Sequence, residues 1–188
     1  MIELIIMARR PARCYTKIAG PPFTRKKYVR SIPGSKITSF EAGNKSSSFP
    51  VTISLFSKES CQIRHVALDA LRMMSNRHMN RKVGAENYHL IVRVYPHHIL
   101  RENKMMAFAG ADRLQDGMRR AFGKPMDIAA RVKANQAIVT IHTFPQHIDK
   151  AIRALKVGGD KLPTPYYHKI EKGEDLYREF QIKKAKAQ

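Results

Sequence analysis

Apolar and polar residues alternate along PVTISLFS (50–57) and YHLIVRVYP (88–96), and this period of two is typical of β-strands. The stretches MDIAARV (126–132) and QAIVTIHTF (136–144) predict a β-hairpin that turns around Ala134-Asn135. Two shorter strands are predicted in HHILRENKM and PYYHKIEKG, the second of them at a sheet edge. The chain is therefore expected to contain several strands that follow one another closely.

Apolar residues at helical spacing predict two helices. Ser57 is a candidate N-cap for the first, which is expected from Lys58 to about Met79. Its apolar stripe comprises Ile63, Val66, Ala67, Ala70, Leu71 and Met74. The second helix is predicted near Pro145 and is expected to stop at Gly158-Gly159. Its inward residues are Ile148, Ala151, Ile152 and Leu155.

Strands cluster in this pattern instead of alternating strictly with helices, which favours an α+β fold. The prediction is a two-layer sandwich: a mixed or antiparallel sheet with two helices on one face. These elements lie within 37–173, a single domain. Residues 1–36 form a basic N-terminal extension, in which 1–6 precede Met7, a second candidate start of translation. Residues 174–188 form a basic C-terminal tail.

Charge is the strongest global signal, because 35 Lys and Arg against 15 Asp and Glu give a net charge of +20. Such an excess attracts polyanions, so the expected partner is a phosphate backbone. An anionic membrane surface is the weaker alternative. The apolar opening MIELIIM is only seven residues long, too short to span a bilayer. Cys14 and Cys61 lie far apart, which argues against a disulfide framework or a zinc module.

Residues 8–36 carry nine Lys or Arg, four prolines and no acidic residue. This composition predicts no fixed structure for the segment alone in water. Tyr15, Phe23 and Tyr28 are interleaved with the cations, which predicts an arm that folds on RNA by pairing with phosphates and stacking on bases. A solvated flexible tail is the alternative. The candidate RNA-binding residues are Arg9, Arg10, Arg13, Arg25, Lys26, Lys27 and Arg30.

Residues 104–125, KMMAFAGADRLQDGMRRAFGKP, fit neither a helix nor a strand. Three glycines, Gly110, Gly117 and Gly123, divide the segment. It is not a phosphate-binding P-loop, because Pro125 stands where that motif needs a hydroxyl. Ordering about twenty residues costs roughly 20–40 kcal/mol, so this long loop either stays mobile or is ordered by a large partner surface. Entry into an RNA pocket fits its glycines and arginines. The candidate RNA-binding residues here are Lys104, Arg113, Arg119, Arg120 and Lys124.

A ribonuclease is the enzymatic alternative, with His97 or His98 acting beside Asp112, Asp116 or Asp127. Nothing in the sequence makes these groups converge, since neighbouring histidines on a strand point to opposite faces. We therefore predict no catalytic residue, no metal and no cofactor. A second alternative is a free RNA chaperone or assembly factor that leaves its RNA once the RNA is folded.

Three segments resemble a known family: MARRPARCY (7–15), ENKMMAFAGADRLQDGMRRAFGKP (102–125) and ARVKANQAIVTIHT (130–143). They are similar to the archaeal and eukaryotic ribosomal protein L-ten-e family, the counterpart of bacterial L-sixteen. The resemblance runs from Met7 to about residue 173. It implies an α+β fold of the hammerhead type, and a place in the large subunit of the cytoplasmic ribosome, bound to 23S-type rRNA and neighbouring proteins. It also implies no membrane, no small-molecule substrate and no catalysis.

The resemblance further implies a position beside A-site tRNA, with the 104–125 loop directed towards the peptidyl-transferase centre. Arg9, Arg10 and Arg13 would then contact rRNA. The loop cations Arg113, Arg119, Arg120 and Lys124 would face rRNA or tRNA. The match departs from the family at Tyr95-Pro96-His97-His98, so contacts there do not carry over.

Overall fold

The structure, a computed structural model, describes residues 10–104 and 118–186, which form eight strands and three α-helices. In chain order the elements are β1 Glu41–Gly43, β2 Val51–Ser57, β3 Cys61–Arg64, α1 His65–Lys82, β4 Tyr88–Val92, β5 His98–Glu102, β6 Lys124–Val132, β7 Ala137–Thr143, α2 Ile148–Gly159, β8 Tyr166–Lys172 and α3 Glu174–Lys186. The strands form a five-stranded sheet in the order β1-β4-β7-β2-β8 and a three-stranded sheet in the order β3-β6-β5. Every adjacent pair is antiparallel, so the predicted α+β sandwich is confirmed in its antiparallel form.

The core lies between the five-stranded sheet and the helices α1 and α2. Ile53 of β2, Ile141 of β7 and Leu90 of β4 are aligned across three strands, and all three side chains are fully buried. The inward residues of the helices close over this row, among them Leu68 of α1 and Leu155 of α2. Burial of large aliphatic side chains contributes about 1.5–3 kcal/mol each, so this row anchors the domain.

The predicted start of the first helix is wrong, because Ser57 ends β2 and does not cap a helix. Residues Cys61–Arg64, including Ile63, form β3 and pair with β6, and α1 begins only at His65. Four residues are too few for a local pattern to separate a strand from a helical turn, and pairing with the distant β6 makes Cys61–Arg64 a strand. The buried stripe of α1 is accordingly displaced to Leu68, Leu71, Ser75 and Met79.

The predicted hairpin is also wrong, although both of its strands exist. β6 pairs with β3 and β5, whereas β7 pairs with β2 and β4, so the two strands belong to different sheets. The link around Asn135, which has a left-handed φ of 59°, carries the chain from one sheet to the other. It runs beside the β2–β3 link, because Asn135 N donates to Ser57 O at 2.8 Å and Ser57 N donates to Gln136 O at 3.1 Å.

The other predicted elements are present. β4, β5 and α2 form where their patterns indicated, and β8 lies at an edge of the five-stranded sheet. Residues of the predicted C-terminal tail form α3, which contacts the body where the Tyr177 hydroxyl donates to Asp149 Oδ1 at 3.1 Å.

The helix α2 ends at Gly159, as predicted, and both Gly158 and Gly159 are buried within its last turn. A Cβ at Gly158 would collide with Ser75 Oγ of α1, and one at Gly159 would lie 2.6 Å from the Tyr166 ring. The two helices approach closely enough for the Ser75 hydroxyl to donate to Ala154 O at 3.2 Å. Glycine is required here for the packing distance.

His65 joins the end of the basic extension to the body. Lys36 N donates to His65 Nδ1 at 2.7 Å, and His65 Nε2 contacts the Asp127 carboxylate of β6. Since Nδ1 accepts, the hydrogen-bond network assigns the ring proton to Nε2, where it faces the carboxylate. Ile128 N also donates to Asp127, at 3.1 Å.

Substituting Gly158→Ala is expected to destabilise the domain by about 1–3 kcal/mol, because overpacking outweighs the gain in helix propensity of up to about 1 kcal/mol. Urea unfolding with an unchanged m-value measures the loss. Gly34→Ala is the matched control, since nothing lies within 4 Å of its added Cβ. Adding Ser75→Ala to the Gly158→Ala chain should restore part of the stability. If Gly158→Ala alone is as stable as the unaltered chain, α1 and α2 do not approach each other as closely as described.

Substituting His65→Ala is expected to cost about 2–3 kcal/mol, since it leaves the Lys36 amide and a largely buried carboxylate without their partner. Hydrogen exchange of the Lys36 amide should accelerate together with the loss of stability. The control is His168→Ala, on the exposed part of β8, with an expected change of about 0.5 kcal/mol or less. Unchanged exchange at Lys36 would show that His65 does not hold the extension.

Candidate nucleic-acid interface

The basic extension presents cations and aromatic rings to solvent. Its described predicted residues are all exposed: Arg10, Arg13, Arg25, Lys26, Lys27 and Arg30. Phe23 is 88% exposed and Tyr28 is 66% exposed, although aromatic rings normally avoid water. Lys27 Nζ lies 4.9 Å from the centre of the Tyr28 ring, within the short 3-10 helix Lys26–Tyr28. This combination suits contact with phosphates and bases.

Three hydrogen bonds fix the backbone of the extension on the three-stranded sheet. Gln62 N donates to Tyr15 O at 2.9 Å, and Gln62 Nε2 donates to Lys17 O at 2.5 Å. Arg131 Nη1 donates to Gly20 O at 2.7 Å. The composition of the extension predicts no structure for it alone, whereas the structure gives it partners on β3 and β6. Because these partners are remote in sequence, the local pattern does not reveal them.

A cavity of about 640 Å³ lies between the extension and the three-stranded sheet. Its walls come from residues 10–29 on one side, and from β3, β5 and β6 on the other. The charged side chains lining it are cationic: Arg10, Lys17, Lys26, Arg101 and Arg131. Among the described residues that line it, none is acidic, so the cavity is a concentrated positive site.

Two histidines stand at the β5 side of this cavity. His98 Nε2 lies 3.5 Å from Arg131 Nη2, and His97 Nδ1 lies 3.0 Å from Tyr95 O. Burial lowers the pKa of His98, and the positive charges of Arg131 and His97 lower it further. The His98 ring is therefore neutral at pH 7 and offers one donor and one acceptor.

The two ends of the predicted long loop meet beside the same sheet. The Arg101 guanidinium lies 4.5 Å from the centre of the Phe122 ring, and its Nη1 donates to Gly123 O at 3.0 Å. A Cβ at Gly123 would stand 2.6 Å from Glu102 N, so only glycine permits this approach. The described predicted cations of this segment are exposed: Lys104, Arg119, Arg120 and Lys124.

Several predicted residues lie outside the described residues: Arg9, Gly110, Arg113 and Gly117, together with Asp112 and Asp116 of the ribonuclease alternative. The third carboxylate of that alternative, Asp127, is engaged by His65 and by Ile128 N. The charged group that faces His98 is the guanidinium of Arg131, not a carboxylate. In residues 10–104 and 118–186, no three His, Cys, Asp or Glu side chains come together as a metal site.

The face of the five-stranded sheet opposite the helices is polar at its centre. Thr52 Oγ1 and His142 Nδ1 lie 3.0 Å apart, and the His142 and His89 rings are 5.8 Å apart between centres. Burial, then the neighbouring His89 and Arg93, lower the pKa of His142. Arg93 Nε donates to Thr140 Oγ1 at 3.1 Å and covers the buried hydroxyl.

Sequence reasoning identified the exposed cations of the extension but missed Gln62 and Arg131, which hold it. The available signal was weak: each is a polar residue inside a strand whose neighbours are apolar, Gln62 between Cys61 and Ile63, and Arg131 between Ala130 and Val132. Such residues on a strand often contact a partner segment.

Of the helices within the described stretches, none is long and apolar enough to cross a lipid bilayer.

Comparison with known proteins gives consistent matches. The sequence pattern of the family described as ribosomal protein L16p/L10e matches residues 18–168. Large ribosomal subunit protein uL16 of Methanocella arvoryzae is 48% identical over 172 residues, covering 92% of this chain and 100% of the relative. The protein of that name from Staphylothermus marinus is 51% identical over 159 residues, covering 85% of this chain and 91% of the relative.

A third relative, large ribosomal subunit protein uL16 of Archaeoglobus fulgidus, is 46% identical over 172 residues and covers 92% of this chain and 98% of its own length. The family pattern spans well over half of the chain, and identity near 50% extends over nearly all of it. The chain belongs to the L16p/L10e family of ribosomal proteins.

Proposed function

We propose that this chain is a structural constituent of the large ribosomal subunit in the cytoplasm, where it binds 23S-type rRNA and adjoins other large-subunit proteins. The observation that carries the proposal is the basic extension fixed on the three-stranded sheet by Gln62 and Arg131. Relatives that match nearly end to end are named as large-subunit proteins, which supports the same assignment.

The mechanism is positioning and charge neutralisation. Arg10, Arg13, Arg25, Lys26, Lys27 and Arg30 pair with phosphates and supply affinity with little sequence information. Phe23 and Tyr28 recognise unstacked bases or irregular RNA shape. Because the extension is already held on the body, less conformational entropy is lost when RNA binds.

The 104–125 loop extends this function towards the tRNA-binding side of the subunit. We infer that it contacts A-site tRNA or the rRNA near the peptidyl-transferase centre, with Arg113, Arg119, Arg120 and Lys124 as its cations. Two facts support this: the resemblance of 102–125 to the family, and the stem at which Arg101 holds Gly123. The stem gives the loop a fixed base on the body.

The alternatives are less well supported. The ribonuclease lacks a described carboxylate beside His97 and His98, since Asp127 contacts His65 and the nearest charged neighbour of His98 is Arg131. Membership of a ribosomal protein family argues for a structural role and against an enzyme. A free RNA chaperone or assembly factor is disfavoured by the names of the relatives.

Reversing two charges on the extension, Lys26→Glu with Lys27→Glu, is expected to weaken rRNA binding and to flatten its salt dependence. Each lost phosphate contact should reduce the slope of log affinity against log salt by about one. Equilibrium binding to a large-subunit rRNA transcript between roughly 50 and 200 mM salt measures the slope. Lys161→Glu with Lys172→Glu, exposed at the end of α2 and on β8, is the control of equal charge. Equal slopes for both variants would contradict binding through the extension.

Replacing residues 105–117 by a short Gly-Ser linker is expected to leave the domain folded and able to bind rRNA, because all eight strands lie outside that segment. Reconstituted large subunits carrying the variant should synthesise protein more slowly. Thermal unfolding and a translation assay test the two halves of this prediction. A loss in Tm of roughly 10 °C or more would make the loop part of the core, and normal translation would remove its proposed role.

A further inference from the structure

The cavity beneath the extension has the size of a small-ligand site. Its volume of about 640 Å³ falls within the range of about 300–1000 Å³ that such sites occupy. This volume exceeds what one phosphate group fills, and it is far too small for a double helix. A single nucleotide is the piece of RNA that matches it.

The lining supplies groups for each part of a nucleotide. Arg10, Lys17 and Lys26 on the extension face Arg101 and Arg131 on the sheet, so an anion entering the cavity meets cations from both walls. The neutral His98 ring adds a donor and an acceptor beside them. Phe23 lines the mouth with a ring that is 88% exposed, and such a ring provides a stacking surface for any base.

Two of the lining side chains have unused hydrogen-bonding capacity. Gln62 Oε1, an acceptor, and Arg131 Nε, a donor, are buried without a partner in the described part of the chain. Gln62 Nε2 and Arg131 Nη1 donate to the carbonyls of Lys17 and Gly20, and Arg131 Nη2 lies 3.5 Å from His98 Nε2. Unsatisfied buried polar atoms are rare in folded proteins, and a bound ligand is one explanation for them. Both atoms are covered in the structure, so a base would reach them only after a shift of the Gln62 and Arg131 side chains.

We infer that this cavity binds one unstacked nucleotide of a single-stranded or bulged RNA segment, with its phosphate among the cations and its base against Phe23. The inference rests on the proposed function, since it names the part of the RNA that this surface recognises. It assigns the extension a selective role, because a regular duplex cannot place a base in the cavity.

The two cysteines of the chain allow the cavity to be blocked chemically. Cys14 is exposed and lines the cavity, whereas Cys61 is buried. Burial raises the pKa of the Cys61 thiol, so a bulky maleimide reacts selectively at Cys14. The adduct should weaken binding of an oligouridylate of roughly twelve nucleotides by about tenfold or more. Binding of an RNA duplex of equal length should change little. A Cys14→Ser chain treated with the same reagent is the control.

A matched pair of variants tests the stacking contact without changing charge. Phe23→Ala should weaken oligouridylate binding by about tenfold, as expected for the loss of one stacked base. Tyr28→Ala removes an exposed ring from the same extension, but Tyr28 does not line the cavity, so a smaller effect is expected. Both rings are largely exposed, so both variants should remain folded. Circular dichroism and melting temperature confirm that they do.

The outcomes separate this inference from the proposed function. The nucleotide site is overturned if neither Cys14 modification nor Phe23→Ala changes oligouridylate binding. The proposed function would still stand in that case, provided that rRNA binding depends on salt. Equal losses for duplex and single strand also overturn the nucleotide site. Inorganic phosphate and uridine monophosphate should also be compared as protectants of Cys14 against maleimide. Equal protection by the two would show that the cavity binds only an anion, which overturns the nucleotide site. Absence of salt-dependent binding to either RNA overturns the proposed function itself.

Discussion

The interface depends on the hydrogen bonds that Gln62 and Arg131 make to the backbone of the extension. Side chains that carry like charges repel one another, and fixing a residue's backbone costs about 1–2 kcal/mol, so a basic segment has no reason to stay on a basic body. Hydrogen bonds to the carbonyl groups of Tyr15, Lys17 and Gly20 offset part of this cost without adding charge. The cations around them remain exposed, so the segment is held by its backbone and can bind through its side chains.

The two sheets share one hydrophobic core, since Ile63 of β3 and Val132 of β6 belong to the same buried cluster as the five-stranded sheet. The five-stranded sheet with α1 and α2 contains the large buried row of Ile53, Ile141 and Leu90. The three-stranded sheet carries the extension on β3 and β6, and the base of the long loop on β5 and β6. The β2–β3 link and the β6–β7 link both pass from one sheet to the other. They lie side by side and are joined by hydrogen bonds between Ser57, Asn135 and Gln136. The candidate RNA-binding segments are therefore attached to the three-stranded sheet.

The sequence predicted the parts of this fold whose pattern is local. The strands β2 and β4 and the helix α2 were predicted from neighbours within one element, and all three are confirmed. Strand pairing depends on residues far apart, so the local pattern predicts the start of a helix where the structure has β3. The pattern around Asn135 likewise predicts a hairpin where the structure has a link between the two sheets. The exposed cations were predictable from composition, whereas Gln62 and Arg131 acquire their role only when β3 and β6 meet the extension.

The most direct test of the central claim is the stoichiometry of the tagged full-length chain with ribosomal particles from its own cells. After a moderate salt wash and sedimentation, the account predicts one copy per large subunit. It also predicts that a chain with both Gln62→Ala and Arg131→Ala is partly lost to the light fractions. Recovery of the unaltered chain mainly in the light fractions, at far below one copy per subunit, would contradict it.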